Sequence, residues 1–403
     1  MNLIKNKPTK KIYQSVRPRL FKTVAFILRE YYFIKHNASI KRLKKQPIIR
    51  VGIIISSISQ WKHQSIYNEF SRSDRYKVKI YVVDENANEP NFVNELNHTL
   101  AVFRENGIDA IDAFSRRPKL SAIFQEIWDS DIVFFSRRTA WDGLLSLKKF
   151  RRSLTCYVPY SIHADKNNYL QYGTLFHQCL WRHYIPYKIF LSQAKELYPA
   201  KNCEVSGYPG FDPFLKHEMV LGDGKAPKWN NDKRIKVIWA PHHTIEDGSH
   251  LPYFSTFLLY AQSFLDLIES TDNFQICFKP HPALKNKLYD HERWGASKTE
   301  EYYSRWRNVE NGHLHQSIYH DLFLTADAMI LDSVSFLSEF NFIGKPMCFL
   351  TRADKGNYTN YFNEHGLKLF SSVSKAASWE GIINFLNKLR DLYLSWYPRG
   401  RLP

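Results

Sequence analysis

No stretch of this chain approaches the ~20 consecutive apolar residues that a membrane-spanning helix needs. The longest early apolar run, Thr23 to Leu28, is short and flanked by charge, which argues against a signal peptide. Cysteine is scarce. The five thiols (Cys156, Cys179, Cys203, Cys277 and Cys348) are scattered and form no CxxC pair. That excludes a disulfide scaffold and predicts free thiols in a reducing compartment. No internal repeat or low-complexity segment is present. Nor is there zinc-finger spacing or an aromatic RNP signature, so no nucleic-acid partner is expected. Acids are nearly absent from the first 50 residues, where fourteen Lys and Arg stand against Glu30 alone. This segment therefore carries +13 of the total +17, and the excess charge belongs to an arm rather than to the body.

What is present describes a large globular protein. The chain has 403 residues, 44% hydrophobic and 24% charged, enough for two domains with real cores. Within the arm, Phe21, Val24, Ile27, Leu28, Tyr31 and Tyr32 follow helical spacing, with basic residues on the other faces. A basic amphipathic helix over residues 1–49 suggests an anionic membrane surface as partner. The expected location is cytoplasmic, peripheral at the inner face of the cell membrane. A helix packed on the protein's own body is the plainer reading.

From Ile48 the pattern changes. "IIRVGIIISS" reads as a strand buried on both faces, and "YKVKIYVVD", "DIVFFS", "LTCYVP" and "YKIFLS" follow as further strands. Residues 216–233 are polar, with two Gly and one Pro, and read as a linker. A second alternation begins at "IKVIWAP" and runs through "FQICFKP", "AMILD" and "PMCFL" to a C-terminal helix. The expected fold class is α/β, with two Rossmann-like domains facing a cleft and a basic N-terminal helical arm. The expected division is 1–49 arm, 50–215 N-terminal acceptor domain, 216–233 linker and 234–403 C-terminal nucleotide-donor domain.

Three motifs in the second half each follow a predicted strand end. "WAPHHT" carries His242 and His243. "FKPHP" carries Lys279 and His281. "ILDSVSFLSEF" carries Asp332, Ser333 and Ser335 at a helix start. In a parallel sheet the three clusters share one rim, where ligands of such sheets bind. Ser or Asp before a helix caps it, and the free N–H groups favour an anion. The bland alternative is an ordinary cap. Prolines on both sides of His281 hold its backbone rigid, which suits a group that must meet developing negative charge. The set His242, His243, Glu246, Asp247 and His250 matches no zinc spacing, and neither does His313, His315 and His320. No metal and no cofactor are expected.

These motifs, preceded by "SGYPGFD", resemble the pattern of the CDP-glycerol glycerophosphotransferase family, which includes teichoic-acid polymerases and primases. The resemblance spans roughly residues 155 to 350. "LDSVSFLSEF" keeps Asp332, Ser335 and Phe340 of the family's motif, with Leu331, Ser333, Val334 and Glu339 as departures. The resemblance implies a GT-B fold and transfer of a polyol phosphate. The donor would be a CDP-activated polyol, and the acceptor a hydroxyl of a cell-envelope polysaccharide or lipid-linked glycan. It also implies a catalytic histidine in the N-terminal lobe, in a His-Gly-Thr context that is absent here. The nearest equivalent is His163 in "YVPYSIHADKNNY", with Asp165 to orient it and His177 and His183 as competitors. The implied site is His163 and His281 as catalytic residues. Lys279, Asp332, Ser333, Ser335, His242 and His243 would hold the donor phosphates. Two other readings stay open: a GT-B glycosyltransferase using a nucleotide sugar in capsule or lipopolysaccharide synthesis, and a non-enzymatic membrane-bound scaffold.

Overall fold

The computed structural model describes residues 18–83, 92–113, 120–216, 229–230, 232–245, 254–316, 318–352, 354 and 358–396. The chain divides into two compact units. One comprises Met1–Tyr160 with Asn167–Pro209, and the other Ser161–Lys166 with Gly210–Pro403. The expected boundary at residue 215 thus moves to 209. The hexapeptide Ser161–Lys166 leaves the first unit for the second. Most of the expected linker, residues 217–228 and 231, lies outside the described residues.

The first unit is a seven-stranded parallel sheet. Its strands are β1 (Ile49–Ile55), β2 (Tyr76–Val82), β3 (Ala110–Asp112), β4 (Ile132–Phe135), β5 (Leu154–Tyr157), β6 (Arg182–Ile185) and β7 (Cys203–Val205), in spatial order β3-β2-β1-β4-β5-β6-β7. Ile53 of β1 lies beside Ile80 on one side and Phe134 on the other, and all three are buried. A strand covered on both faces is apolar at every position, which is why β1 was legible as a continuous run. "YKIFLS" was not a strand. It lies in the helix Lys188–Leu197, where Phe190 and Ala194 point inward one turn apart. The strand is β6, just upstream. A short apolar run does not distinguish the two periods.

The N-terminal helix runs from Pro18 to Leu43. It is not a free arm. Ala25, Tyr32, His36, Ser39 and Leu43 form a buried stripe against the first unit. Polar contacts fix it there: Arg29 Nη1 donates to Gln178 Oε1 at 2.7 Å, Ser39 Oγ to Arg152 O at 2.8 Å, and Arg42 Nη1 to Asp131 Oδ1 at 2.8 Å. The opposite face stays in solvent although it is apolar, with Phe26 54%, Ile27 59%, Phe33 62% and Ile34 66% exposed. The expected apolar face is therefore split: Tyr32 faces the body, while Val24, Ile27 and Tyr31 face out.

The second unit is a six-stranded parallel sheet: β8 (Ile235–Ala240), β9 (Phe274–Phe278), β10 (Gly312–Leu314), β11 (Ala328–Leu331), β12 (Met347–Leu350) and β13 (Ser374–Ala376), in the order β10-β9-β8-β11-β12-β13. Trp239 of β8 anchors one face. It is fully buried, stacks on Phe264 at 4.1 Å between ring centroids, and lies 5.0 Å from Phe278. This aromatic layer holds β8 and β9 in place beneath the loops that follow them. No helix among the described residues is long and apolar enough to cross a membrane.

Candidate anion-binding site

In the second sheet the strand order reverses between β8 and β11. Chain crossovers leave in opposite directions there and open a crevice beyond the carboxyl ends of the strands. His242 follows β8, Lys279 and His281 follow β9, and Asp332 and Ser333 follow β11, so three adjacent strands deliver their polar ends to one rim.

Three imidazoles cluster on this rim. Ring centroids of His243 and His281 are 4.2 Å apart, those of His242 and His243 4.3 Å, and those of His242 and His281 5.2 Å. The backbone fixes His281 from both sides. Its N–H donates to Pro241 O at 3.1 Å, and its carbonyl accepts from Leu284 N at 2.8 Å. Lys279 N donates to Trp239 O at 2.8 Å, tying the Lys-Pro-His-Pro turn to β8. The flanking Pro280 and Pro282 hold their own φ near −65° and bias the residues before them to extended geometry.

Hydrogen bonding assigns the tautomers. His281 Nδ1 accepts the N–H of Ala283 at 3.1 Å. His242 Nδ1 accepts the N–H of Thr244 at 3.3 Å and lies 2.9 Å from Thr244 Oγ1. That hydroxyl already accepts from Phe254 N at 3.0 Å, so it is free to donate to the ring. A ring nitrogen that accepts carries no proton, so a neutral His242 or His281 bears its proton on Nε2. Both rings are neutral. Burial pushes His242 down to about 3, with His243 and Lys287 adding repulsion. Burial also holds His281 well below the usual range, helped by His243, His242, Lys279 and Lys287. His243 is lowered to about 4 by burial and then by Lys287.

One ring nitrogen from each of the three histidines lies within 4.8 Å of the others, so the cluster also invites a metal reading. The proton positions oppose it. With Nδ1 of His242 and His281 occupied, each ring offers only an Nε2–H, which repels a cation and attracts an anion. Lys287 adds a positive charge felt by all three rings. The donor set therefore suits an oxyanion. Of the residues considered with them for metal, Glu246, Asp247 and His250 lie outside the described residues.

Asp332 does not reach toward a ligand. It is fully buried, and its oxygens accept from His242 N at 2.5 Å, Thr256 N at 2.5 Å and Thr256 Oγ1 at 2.8 Å. It fastens the β8 loop and the start of the helix Phe257–Ser270 to the end of β11. Burial raises its carboxyl to about 6, against the lowering effect of those donors. Ser333 begins the helix Val334–Phe342 but makes no side-chain cap bond. Its Oγ instead lies 3.0 Å from the Oγ of the exposed Ser335. The first N–H groups of that helix are thus not taken by Ser333 and remain suited to an anion.

His163 belongs to the same unit and is held by a different set of contacts. Its strand of chain is fastened to the loop before the helix Glu364–Ser372: Asn363 Nδ2 donates to His163 O at 2.9 Å and to Asp165 O at 3.1 Å, and Asn363 N donates to Ala164 O at 2.8 Å. Gly366 is needed here, since a Cβ on it would sit 2.4 Å from Ala164 O. His163 Nδ1 is 4.0 Å from Asp165 Oδ2, and burial lowers the imidazole to about 4 in spite of that carboxylate. The competitors His177 and His183 are buried in the first unit, their rings stacked 5.1 Å apart. Sequence reading missed Lys287, Thr244 and Thr256. Only the run "KPHPALKNK", basic again one helical segment after His281, hinted at the first.

No protein-family model matches the chain, and no curated protein matches it. Solved structures do. The wall teichoic acid polymerase TagF, as its H444N variant, aligns with a TM-score of 0.56 at 12% identity, over 93% of this chain and 88% of that one. UDP-GlcNAc 2-epimerase from Neisseria meningitidis, bound to UDP-GlcNAc, aligns with a TM-score of 0.55 at 14% identity, over 87% and 92%. A UDP-N-acetylglucosamine 2-epimerase from Listeria monocytogenes, described as a candidate, gives 0.51 at 14% identity, over 86% and 89%. At such identity the likeness is one of fold. The chain has the GT-B fold, two parallel-sheet α/β units.

Proposed function

We propose that this protein is a transferase that moves glycerol phosphate, or a related polyol phosphate, from a CDP-activated donor to a hydroxyl of a cell-envelope polysaccharide or lipid-linked acceptor. The observation that carries the reading is the pair of neutral imidazoles, His242 and His281, each left with an Nε2–H beside Lys279 and Lys287 at the β8/β11 switch point. Such donors suit a diphosphate. In the reaction the acceptor oxygen bonds to the phosphorus that carries the polyol, the bond to the CMP oxygen breaks, and CMP leaves with the electron pair. His281, Lys279 and His242 take up charge on the departing phosphate, with Ser333, Ser335 and the helix amides as a cradle. His163 is the proposed base. It is neutral and so able to take the hydroxyl proton, and a bound anionic donor raises its depressed basicity.

A second reading keeps the same rim and a nucleotide sugar as donor. The UDP-GlcNAc-bound neighbour is a reason to keep it open. Incubating the protein with cell-envelope membranes and either radiolabelled CDP-glycerol or a panel of nucleotide sugars separates the two. Release of CMP with label in the membrane fraction supports the first reading, and release of a nucleoside diphosphate supports the second.

The proposal extends to location. The apolar outer face of the helix Pro18–Leu43, beside the exposed Lys22, Lys41, Lys44 and Lys45, suits an anionic lipid surface at the inner face of the cell membrane.

A further inference from the structure

The hexapeptide Ser161–Lys166 leaves the first unit after Tyr160 and returns to it at Asn167, yet it packs as part of the second. Its burial alternates. Ile162 and Ala164 are buried, while His163 and Asp165 are partly exposed. Successive side chains of an extended chain point to opposite faces, so His163 and Asp165 share the outer one. Ala164 joins the apolar cluster that contains Ala240 and Leu331, the last residues of β8 and β11. The piece of chain that carries His163 is thus seated on the same core as the strand ends that lead to His242 and Asp332.

One loop, residues 361–366, holds it there. Tyr361 O accepts the N–H of Lys166 at 3.0 Å, and Phe362 pairs with Asp165 as an antiparallel bridge. Asn363 is buried, and both polar atoms of its side chain are engaged. Its Nδ2 donates to His163 O and Asp165 O, and its Oδ1 accepts from Gly366 N at 2.9 Å. A single amide therefore caps the helix Glu364–Ser372 and grips the hexapeptide. The same loop reaches the histidine rim. The Tyr361 ring lies 5.9 Å from that of Phe254, and the Phe254 ring 6.1 Å from that of His242. All the bonds to the hexapeptide go to its main chain. They fix the backbone of His163 while 21% of its side chain stays exposed.

We infer that Asn363 is a positioning residue, which clips the hexapeptide so that His163 is carried by the same unit as the donor-phosphate rim. The inference rests on the reading of His163 as the base. A base fixed to that unit keeps one placement relative to the donor, and placement set before reaction raises turnover rather than affinity.

Asn363→Ser in the full chain tests it, with hydrogen–deuterium exchange and turnover read together. Serine can still cap the helix but has no amide to grip two carbonyls. Exchange in a peptide covering 161–166 should quicken about 10- to 100-fold, with 279–287 unchanged. CMP release from CDP-glycerol in the presence of cell-envelope membranes should show kcat lowered by about 10- to 100-fold and the donor KM within about threefold. Glu364→Ala, an exposed change in the same turn, should move neither. His163→Ala separates the inference from the reading beneath it. Wild-type turnover by His163→Ala refutes the base, and the positioning role falls with it. Slow turnover by His163→Ala beside wild-type kcat in Asn363→Ser leaves the base standing and overturns the clip. Unchanged exchange at 161–166 in Asn363→Ser overturns it as well, and that readout needs no donor.

Discussion

The buried carboxylate of Asp332, at the end of β11, accepts the backbone N–H of His242 at 2.5 Å across the β8/β11 switch point. Ninety residues apart in sequence, the two are bonded because the strands are neighbours. Asp332 is thus a positioning residue. It holds the His242 backbone, and Thr244 sets the ring.

Asp332→Ala should strand two buried N–H donors, those of His242 and Thr256, at a cost of about 2–4 kcal/mol of stability. Denaturant unfolding measures it. Asp332→Asn should lose less. A titration separates position from stability: folded Asp332→Asn should bind pyrophosphate at 279–287 more weakly, while Ser372→Ala, remote from the rim, should not.

The tautomer assignment makes a separate prediction. Because the free nitrogens of His242 and His281 carry protons, phosphate and pyrophosphate should bind this rim and zinc should compete poorly. NMR of 15N-labelled histidine should show protonated Nε2 in both rings at neutral pH. Deprotonated Nε2, with tight zinc binding that removes pyrophosphate, would reverse the reading.

Acid should unfold the protein early. Among the described residues, nine histidines have their pKa lowered in the fold: His36, His63, His163, His183, His242, His243, His281, His313 and His365. The unfolded chain binds these protons near pH 6.5, and the folded chain does not until pH is much lower. Their stability contribution is whole above about pH 6.5 and is lost as pH falls below it, by up to ~1.4 kcal/mol per pH unit for each group. Asp332 has the opposite sign. Its raised pKa of about 6 favours the fold at acid pH, and that contribution fades as pH rises through 6. One carboxyl does not offset nine imidazoles. The Tm should therefore drop steeply between pH 6.5 and 5. A flat Tm over that range would contradict the burial of these rings.

The outer face of the N-terminal helix gives a fourth test. Phe33→Ser with Ile34→Ser removes two side chains that touch solvent, so the fold should be unaffected by circular dichroism. Binding to phosphatidylserine vesicles should fall about tenfold or more, since each buried apolar side chain contributes roughly 1.5–3 kcal/mol. High salt should weaken binding without abolishing it. Undiminished binding by the double variant would remove this face from the membrane.

The sheet of the second unit was readable because β8, β9 and β11 are buried on both faces and so appear as apolar runs ending in polar residues. The His-Pro turn was readable for the same reason, since proline constrains the backbone wherever it occurs. The three-residue strands β3 and β7 were not, being too short for any period to show. The placement of His163 in the second unit was hidden because it rests on Asn363, 200 residues away. The docking of the N-terminal helix rests on equally remote partners. Arg42 and Arg50 meet at Asp131, whose carboxyl burial would raise but whose bonds to Arg50 and Arg42 hold below the usual range. Lys287 was missed because its link to the histidines is spatial proximity through a helix.

Titration calorimetry of CDP-glycerol with the wild type and with His281→Ala tests the central claim most directly. The wild type should bind one equivalent at the histidine rim, in preference to UDP-GlcNAc. A hydrogen bond to a charged phosphate contributes about 1.5–3 kcal/mol, so His281→Ala should raise the Kd by roughly 10- to 100-fold in a protein that remains folded. Unchanged affinity in the variant, or no binding of CDP-glycerol by the wild type, would contradict it.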